Sequence, residues 1–166
     1  MEEIICYNGQ IYRVFNKAIK MVKDLKIPYG RIVSVEEKPR LIRTWGQCHL
    51  LPSGAFEIYV SPRLLENEDA LLETLLHEIV HTCKGCFNHG VKWKKYAEKI
   101  NTEYGTHLKR CTSESEKAIT PVVPKYIIQC EKCGFEYPRM KFTKMVEGDY
   151  KNCKCSICGG NLKRIK

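Results

Sequence analysis

The sequence of 166 residues predicts an α+β fold, a mixed domain followed by a small metal-held module. Three observations carry that prediction. Helical apolar stripes bracket a set of short, alternating β-like runs within residues 1–110. His77-Glu78-Ile79-Val80-His81 sets two imidazoles one helical turn apart. Cys130/Cys133 and Cys155/Cys158 form two Cys-x2-Cys knuckles. The boundaries that follow are a domain at 1–110, a linker at 111–124 and a ribbon-like module at 125–166.

Asn8 can cap a first helix reaching to about Lys26. Ile11, Val14, Phe15, Ala18, Ile19, Val22 and Leu25 recur at helical spacing with lysines opposite, and Pro28-Tyr29-Gly30 ends the run. β-like runs follow at Arg31 to Val35, Leu41 to Leu50 and Ala55 to Val60, with Pro52-Ser53-Gly54 as the turn of a hairpin between the last two. In the third run Phe56, Ile58 and Val60 alternate with Ala55, Glu57 and Tyr59, which reads as one buried face and one exposed face. Ser61-Pro62 and Asn67-Glu68-Asp69 are start signals for the histidine helix, and Gly85 is a stop. On a helical wheel Leu71, Leu72, Leu75, Leu76, Ile79 and Val80 fill an apolar arc, and the histidine pair points away from it toward a cleft. A further helix starts near Gly90, with Trp93, Tyr96, Ala97 and Ile100 on one face. Periodicity then lapses, and Thr112-Ser113-Glu114-Ser115-Glu116 with Pro121 and Pro124 reads as the linker.

No apolar run approaches the roughly 20 residues of a membrane span, and Met1-Glu2-Glu3 is acidic where a secretory leader is basic. A cytoplasmic location is the expectation, and there ten cysteines are read as metal ligands or buried thiols before disulfides. The net charge of +9 is unevenly spread: residues 1–120 carry 18 basic against 15 acidic side chains, residues 121–166 carry 10 against 4. A positive module favours polyanions such as nucleic acid, although scattered lysines also serve simply to keep a small domain in solution.

The histidine motif brings together the parts that hydrolysis needs. Two imidazoles on one helical face can hold a zinc ion, and Glu78 between them can act as the base for an attacking water. Zinc then requires a third protein ligand. A glycine three residues and a histidine six residues past His81 would be the best-known extension, but Lys84 and Phe87 stand there. Glu98 and Glu103 are alternatives, and His89 in the turn-forming Asn88-His89-Gly90 is the better one.

These segments, with Trp93 three residues after Gly90, resemble the SprT-like metalloprotease family, the group that includes Spartan. The resemblance covers about residues 8–110. It implies a small zincin-like domain of the minigluzincin type, in which Trp45-Gly46-Gln47-Cys48 opens the hairpin. It makes His89, the histidine of a His-Gly segment, the third ligand beside His77 and His81. It also implies endopeptidase activity on DNA-associated proteins, with repair of DNA–protein crosslinks as the sharpest version. Cys83 and Cys86, inside the loop between ligands, depart from the pattern; a redox gate or a lent thiolate are options, and small buried side chains closing the helix end are the plainer one. The long tails that link eukaryotic members to replication-clamp and ubiquitin partners are not seen, so those interactions are not carried over.

The second expected metal is structural. Each knuckle has glycine directly after its second cysteine, and Tyr126-Ile127-Ile128 and Asn161 to Ile165 would flank the ion as strands. Cys153 is a spare that could compete with Cys155. Lys141, Lys144, Lys151, Lys154, Lys163 and Arg164, with Phe135, Tyr137 and Phe142, offer charge and aromatic faces for single- or double-stranded DNA or for RNA. The expectation is therefore one catalytic and one structural zinc, a protein substrate and DNA as partner. A non-catalytic zinc-dependent nucleic-acid-binding or regulatory protein is the alternative, and a hydrolase of non-peptide bonds a further one. The sequence assigns no oxyanion-stabilising residue; Tyr104 and His107 are candidates by position only, and each is more often a packing residue, while the 56–60 strand is expected to accept an extended substrate by edge pairing.

Overall fold

The computed structural model describes residues 4–42, 44–111, 119–120 and 123–166. It divides into two compact units, Met1–Pro121 and Val122–Lys166. The linker expected at 111–124 lies mostly outside the described residues, its 112–118 and 121–122 among them.

In the first unit, α1 (Gly9–Asp24) forms where its stripe and cap predict. The Asn8 side-chain oxygen accepts from the backbone N–H of Gln10 and Ile11, at 3.0 and 3.2 Å. Ile11, Phe15, Ala18 and Val22 are fully buried, each large one contributing on the order of 2 kcal/mol of burial. Three strands follow: β1 (Ile32–Glu37), β2 (Gly46–Leu50) and β3 (Phe56–Val60). β2 and β3 make the expected hairpin, turned at Gly54 with φ +79°. The run expected from Leu41 pairs only from Gly46 onward. Leu41 instead turns inward, buried, and its carbonyl accepts from the buried Ser61 hydroxyl at 2.7 Å.

The strand order is β1-β3-β2, with β3 parallel to β1 and antiparallel to β2. This corrects the expectation for the 56–60 strand. β3 is the middle of the sheet and has no edge to offer; the open edge among the described residues belongs to β2. The far side of β1 is partly closed by a bridge from Ile5, whose N–H donates to the Val33 carbonyl at 3.0 Å.

α2 (Glu68–His81) is capped by Asn67, whose side chain accepts from the N–H of Asp69 and Ala70. Its leucines pack on α1 and the sheet. The helix is covered further round than its wheel suggests, because Glu78 and His81 are also buried. β2 lies against one flank of that face and α3 (Val91–Tyr104) closes the other, burying Trp93, Ala97 and Ile100. Gly105 ends α3 in the left-handed region at φ +64°. The chain after it is fastened by Asn101, which accepts from the Thr106 hydroxyl and Leu108 N–H and donates to the Leu108 carbonyl.

In the second unit β4 (Tyr126–Cys130) is central between β5 (Glu136–Arg139) and β6 (Leu162–Arg164), all antiparallel. α4 (Lys144–Glu147) and a 3-10 turn at Asp149–Asn152 fill the interval between β5 and the second knuckle. Ile128 and Val146 are its fully buried apolar side chains, a small core for a module of this size. No helix among the described residues is long and apolar enough to cross a membrane.

Candidate active site and metal centres

α2 delivers His77 and His81 from successive turns, and the chain reversal after Thr82, with Gly85 at φ +81°, returns His89 to the same point. The three Nε2 atoms lie 3.1 Å (His77–His81), 3.2 Å (His81–His89) and 2.9 Å (His77–His89) apart. That spacing fits one small ion: nitrogens about 2.0–2.1 Å from a tetrahedral zinc stand roughly 3.3 Å from one another. The donor state fits as well. His81 Nδ1 lies 2.8 Å from the Cys86 carbonyl, which can only accept, so the proton sits on Nδ1 and Nε2 keeps a free lone pair. Burial holds His81 and His89 below the usual histidine range, which keeps them neutral and ready to ligate. Glu98 and Glu103 are exposed on α3 and outside this cluster.

Trp93 sits behind the trio, its ring 4.7 Å from His77 and His89 and 5.8 Å from His81, and is 2% exposed. Glu78 flanks the imidazoles from the β2 side. Burial pushes its carboxyl up to about 8, so in the ion-free state it holds a proton at neutral pH. The imidazoles open onto a cleft of about 570 Å³, with Trp45 to His49 on one wall and His107 to Cys111 on the other. Glu73 secures the second wall by accepting the His107 N–H at 2.8 Å. His107 thus borders the cleft as expected, whereas Tyr104 does not: its hydroxyl donates to the Met21 carbonyl at 3.4 Å and faces a separate cleft beside α1.

Cys83 and Cys86 are buried in the main core and lie outside the histidine cluster. Their burial raises both thiols above the usual range. Cys86 contributes through its backbone oxygen, a role that side-chain reading does not reveal. Gly46 was likewise absent from the expected site residues, yet it packs directly against Glu78: a methyl built on it would stand 2.6 Å from Oε1.

In the second unit Cys130, Cys133, Cys155 and Cys158 converge, all four sulfurs within 4.8 Å of one another. Gly134 and Gly159, at φ +72° and +71°, turn each knuckle so that their N–H groups bond back to the Cys130 and Cys155 carbonyls. Cys130 is lowered by the backbone N–H groups of its own knuckle, and Cys155 is lowered to about 6 by the Tyr137 hydroxyl 3.2 Å away. This four-thiol cluster suits zinc and is consistent with a zinc ribbon. Cys153 is not among the four. The six basic residues expected to meet nucleic acid are all exposed, but Arg164 also donates to the Val146 carbonyl at 3.1 Å and Lys154 reaches Asn161.

The family model for the SprT-like family matches residues 11–115. The chain belongs to the SprT-like family. Among relatives of this SprT-like chain, Protein SprT-like of Staphylococcus saprophyticus is 26% identical over 145 residues, covering 87% of this chain and 88% of the relative. Germ cell nuclear acidic protein of Drosophila melanogaster is 26% identical over 165 residues, covering 94% of this chain. Germ cell nuclear acidic-1 protein of Caenorhabditis elegans is 24% identical over 122 residues, or 69% of it. The match spans only 14% and 22% of those two animal proteins. Family membership and the two donor sets together fit a zinc-dependent protein.

Proposed function

We propose that this chain is a zinc-dependent endopeptidase that acts on proteins associated with DNA. The observation that carries the reading is a buried carboxyl, Glu78, beside three convergent imidazoles at the floor of an open cleft. A structural metal site has no use for such a group, whose burial is costly unless it works. His77, His81 and His89 would hold the zinc, which when bound supplies a Lewis acid for a peptide carbonyl and a more acidic water. Glu78 takes a proton from the attacking water onto its carboxylate and later hands it to the departing amine. The β2 edge orients the substrate. In its register with β3, Trp45, Gln47, His49 and Leu51 use their backbone groups inward, leaving the N–H and C=O of Gly46, Cys48 and Leu50 to pair with an extended peptide. Cys130, Cys133, Cys155 and Cys158 would hold a second, structural zinc.

The DNA part rests on the exposed lysines of the second unit and on the family; the two animal relatives have nuclear in their names. A reducing, cytoplasmic setting suits ten cysteines without a disulfide among them. The test compares wild type with Glu78→Gln for zinc content and for cleavage of a DNA-bound protein. Two zincs per chain with cleavage lost in the variant is the expected result; equal cleavage by both refutes the mechanism. Cleavage should rise on adding DNA and do so more at low salt. Identical rates with and without DNA remove the DNA part and leave a general peptidase.

A further inference from the structure

We infer that Gly46 is a positioning residue, one that sets the stand-off between the substrate-binding edge and the base Glu78. The inference rests on the peptidase reading above. Glycine at 46 is not explained by backbone conformation, since Gly46 is not among the residues with positive φ. Space explains it. A Cβ there would lie 2.6 Å from Glu78 Oε1, 2.8 Å from Glu78 Cγ and 2.9 Å from Thr74 Cγ2, where ordinary contact begins at 3.4 Å. The two groups that would have to yield differ in freedom. Thr74 is buried and tied to α2, its hydroxyl donating to the Ala70 carbonyl at 2.8 Å. The Glu78 carboxyl is the end of a flexible side chain and yields most, while the contact with the Thr74 methyl is relieved only by a parting of β2 and α2 of about 0.5 Å.

The carboxyl's displacement is about 0.8 Å if ordinary contact is to be restored. A shift of that order in a reacting group costs about a hundredfold in rate. Gly46 also presents its N–H and C=O on the open edge of β2. One residue therefore brings the bound peptide backbone and the base to the same place, by lacking a side chain between them.

The experiment uses the full chain and the variants Gly46→Ala, Glu78→Asp and the double variant. Gly46→Ala should keep two zincs and a folded first unit, leave KM within about threefold and lower kcat by about a hundredfold. Glu78→Asp, shorter by one methylene, should cost at least tenfold less in the Gly46→Ala background than in wild type, as expected of groups competing for one volume. A second readout needs no activity: in zinc-free protein labelled at the glutamate side-chain carboxyl, Gly46→Ala should move the carbon resonance of Glu78. An unchanged kcat, an additive cycle, or loss of zinc and fold in step with kcat overturns the inference. A wild type that cleaves nothing overturns the peptidase reading alone, and an unmoved Glu78 resonance overturns the positional claim whatever the wild type does.

Discussion

Replacing Glu78 by glutamine should make the zinc-free protein more stable at neutral pH, and the size of the gain follows from burial. Folded, the carboxyl holds its proton to about pH 8; in the unfolded chain it releases it near 4.5. The folded state thus binds more protons between those values, so its stability is complete below 4.5, declines as pH rises, and stops declining above 8. Each pH step inside that window costs about 1.4 kcal/mol, or about 2.7 kcal/mol from pH 5 to 7. Relaxation around the carboxyl lowers this, and a difference of about 1–3 kcal/mol between wild type and Glu78→Gln is expected at pH 7. Urea unfolding of chelator-treated protein at several pH values measures it. Tryptophan emission is the right signal, because both tryptophans, Trp45 and Trp93, belong to the first unit. The two proteins should agree near pH 4.5 and separate steadily above it. Parallel curves from pH 5 to 8 would refute the claim that burial governs this group. Zinc loading should shrink the gap, since a nearby dication stabilises the ionised carboxyl.

Three further outcomes are expected. Cys48→Pro removes an N–H that the β2–β3 ladder does not use, so it should lower peptide cleavage at least tenfold with zinc content unchanged; unaltered cleavage would argue against edge pairing. Asn101→Ala deletes three hydrogen bonds that fasten the wall at Thr106 and Leu108; about 1–3 kcal/mol of stability and a higher KM should follow, as denaturant melts and steady-state kinetics would report. Cys155→Ser should release one zinc per chain and collapse amide dispersion for residues 126–164 only, leaving tryptophan emission as in wild type.

How much of this was legible from the residues differs from element to element, for physical reasons. α1 could be read because its cap and its stripe are both local. The alternation of Ile58 and Val60 identified the buried face of β3 correctly, but alternation is silent on neighbours. The parallel partner β1 comes from distant sequence, and it is this partner that moves the free edge to β2. β5 has no counterpart among the expected strands; Pro138 within Glu136-Tyr137-Pro138-Arg139 weakens the strand pattern, and an edge strand tolerates it. His77, Glu78 and His81 were visible through spacing alone, and His89 through its His-Gly context. Gly46 and the Cys86 carbonyl left no comparable trace, since one acts through a side chain it lacks and the other through backbone that every residue has.

The indole behind the imidazoles carries one more consequence. The Trp93 Nε1 is buried and has no hydrogen-bond partner among the described residues, a burden of about 1–3 kcal/mol on the fold. Phenylalanine at 93 would shed that burden. It would also leave a void in the packed core at a cost of similar order, about 1–3 kcal/mol, so a melting point could stand nearly still while the aromatic wall on which three ligand rings lean grows thinner.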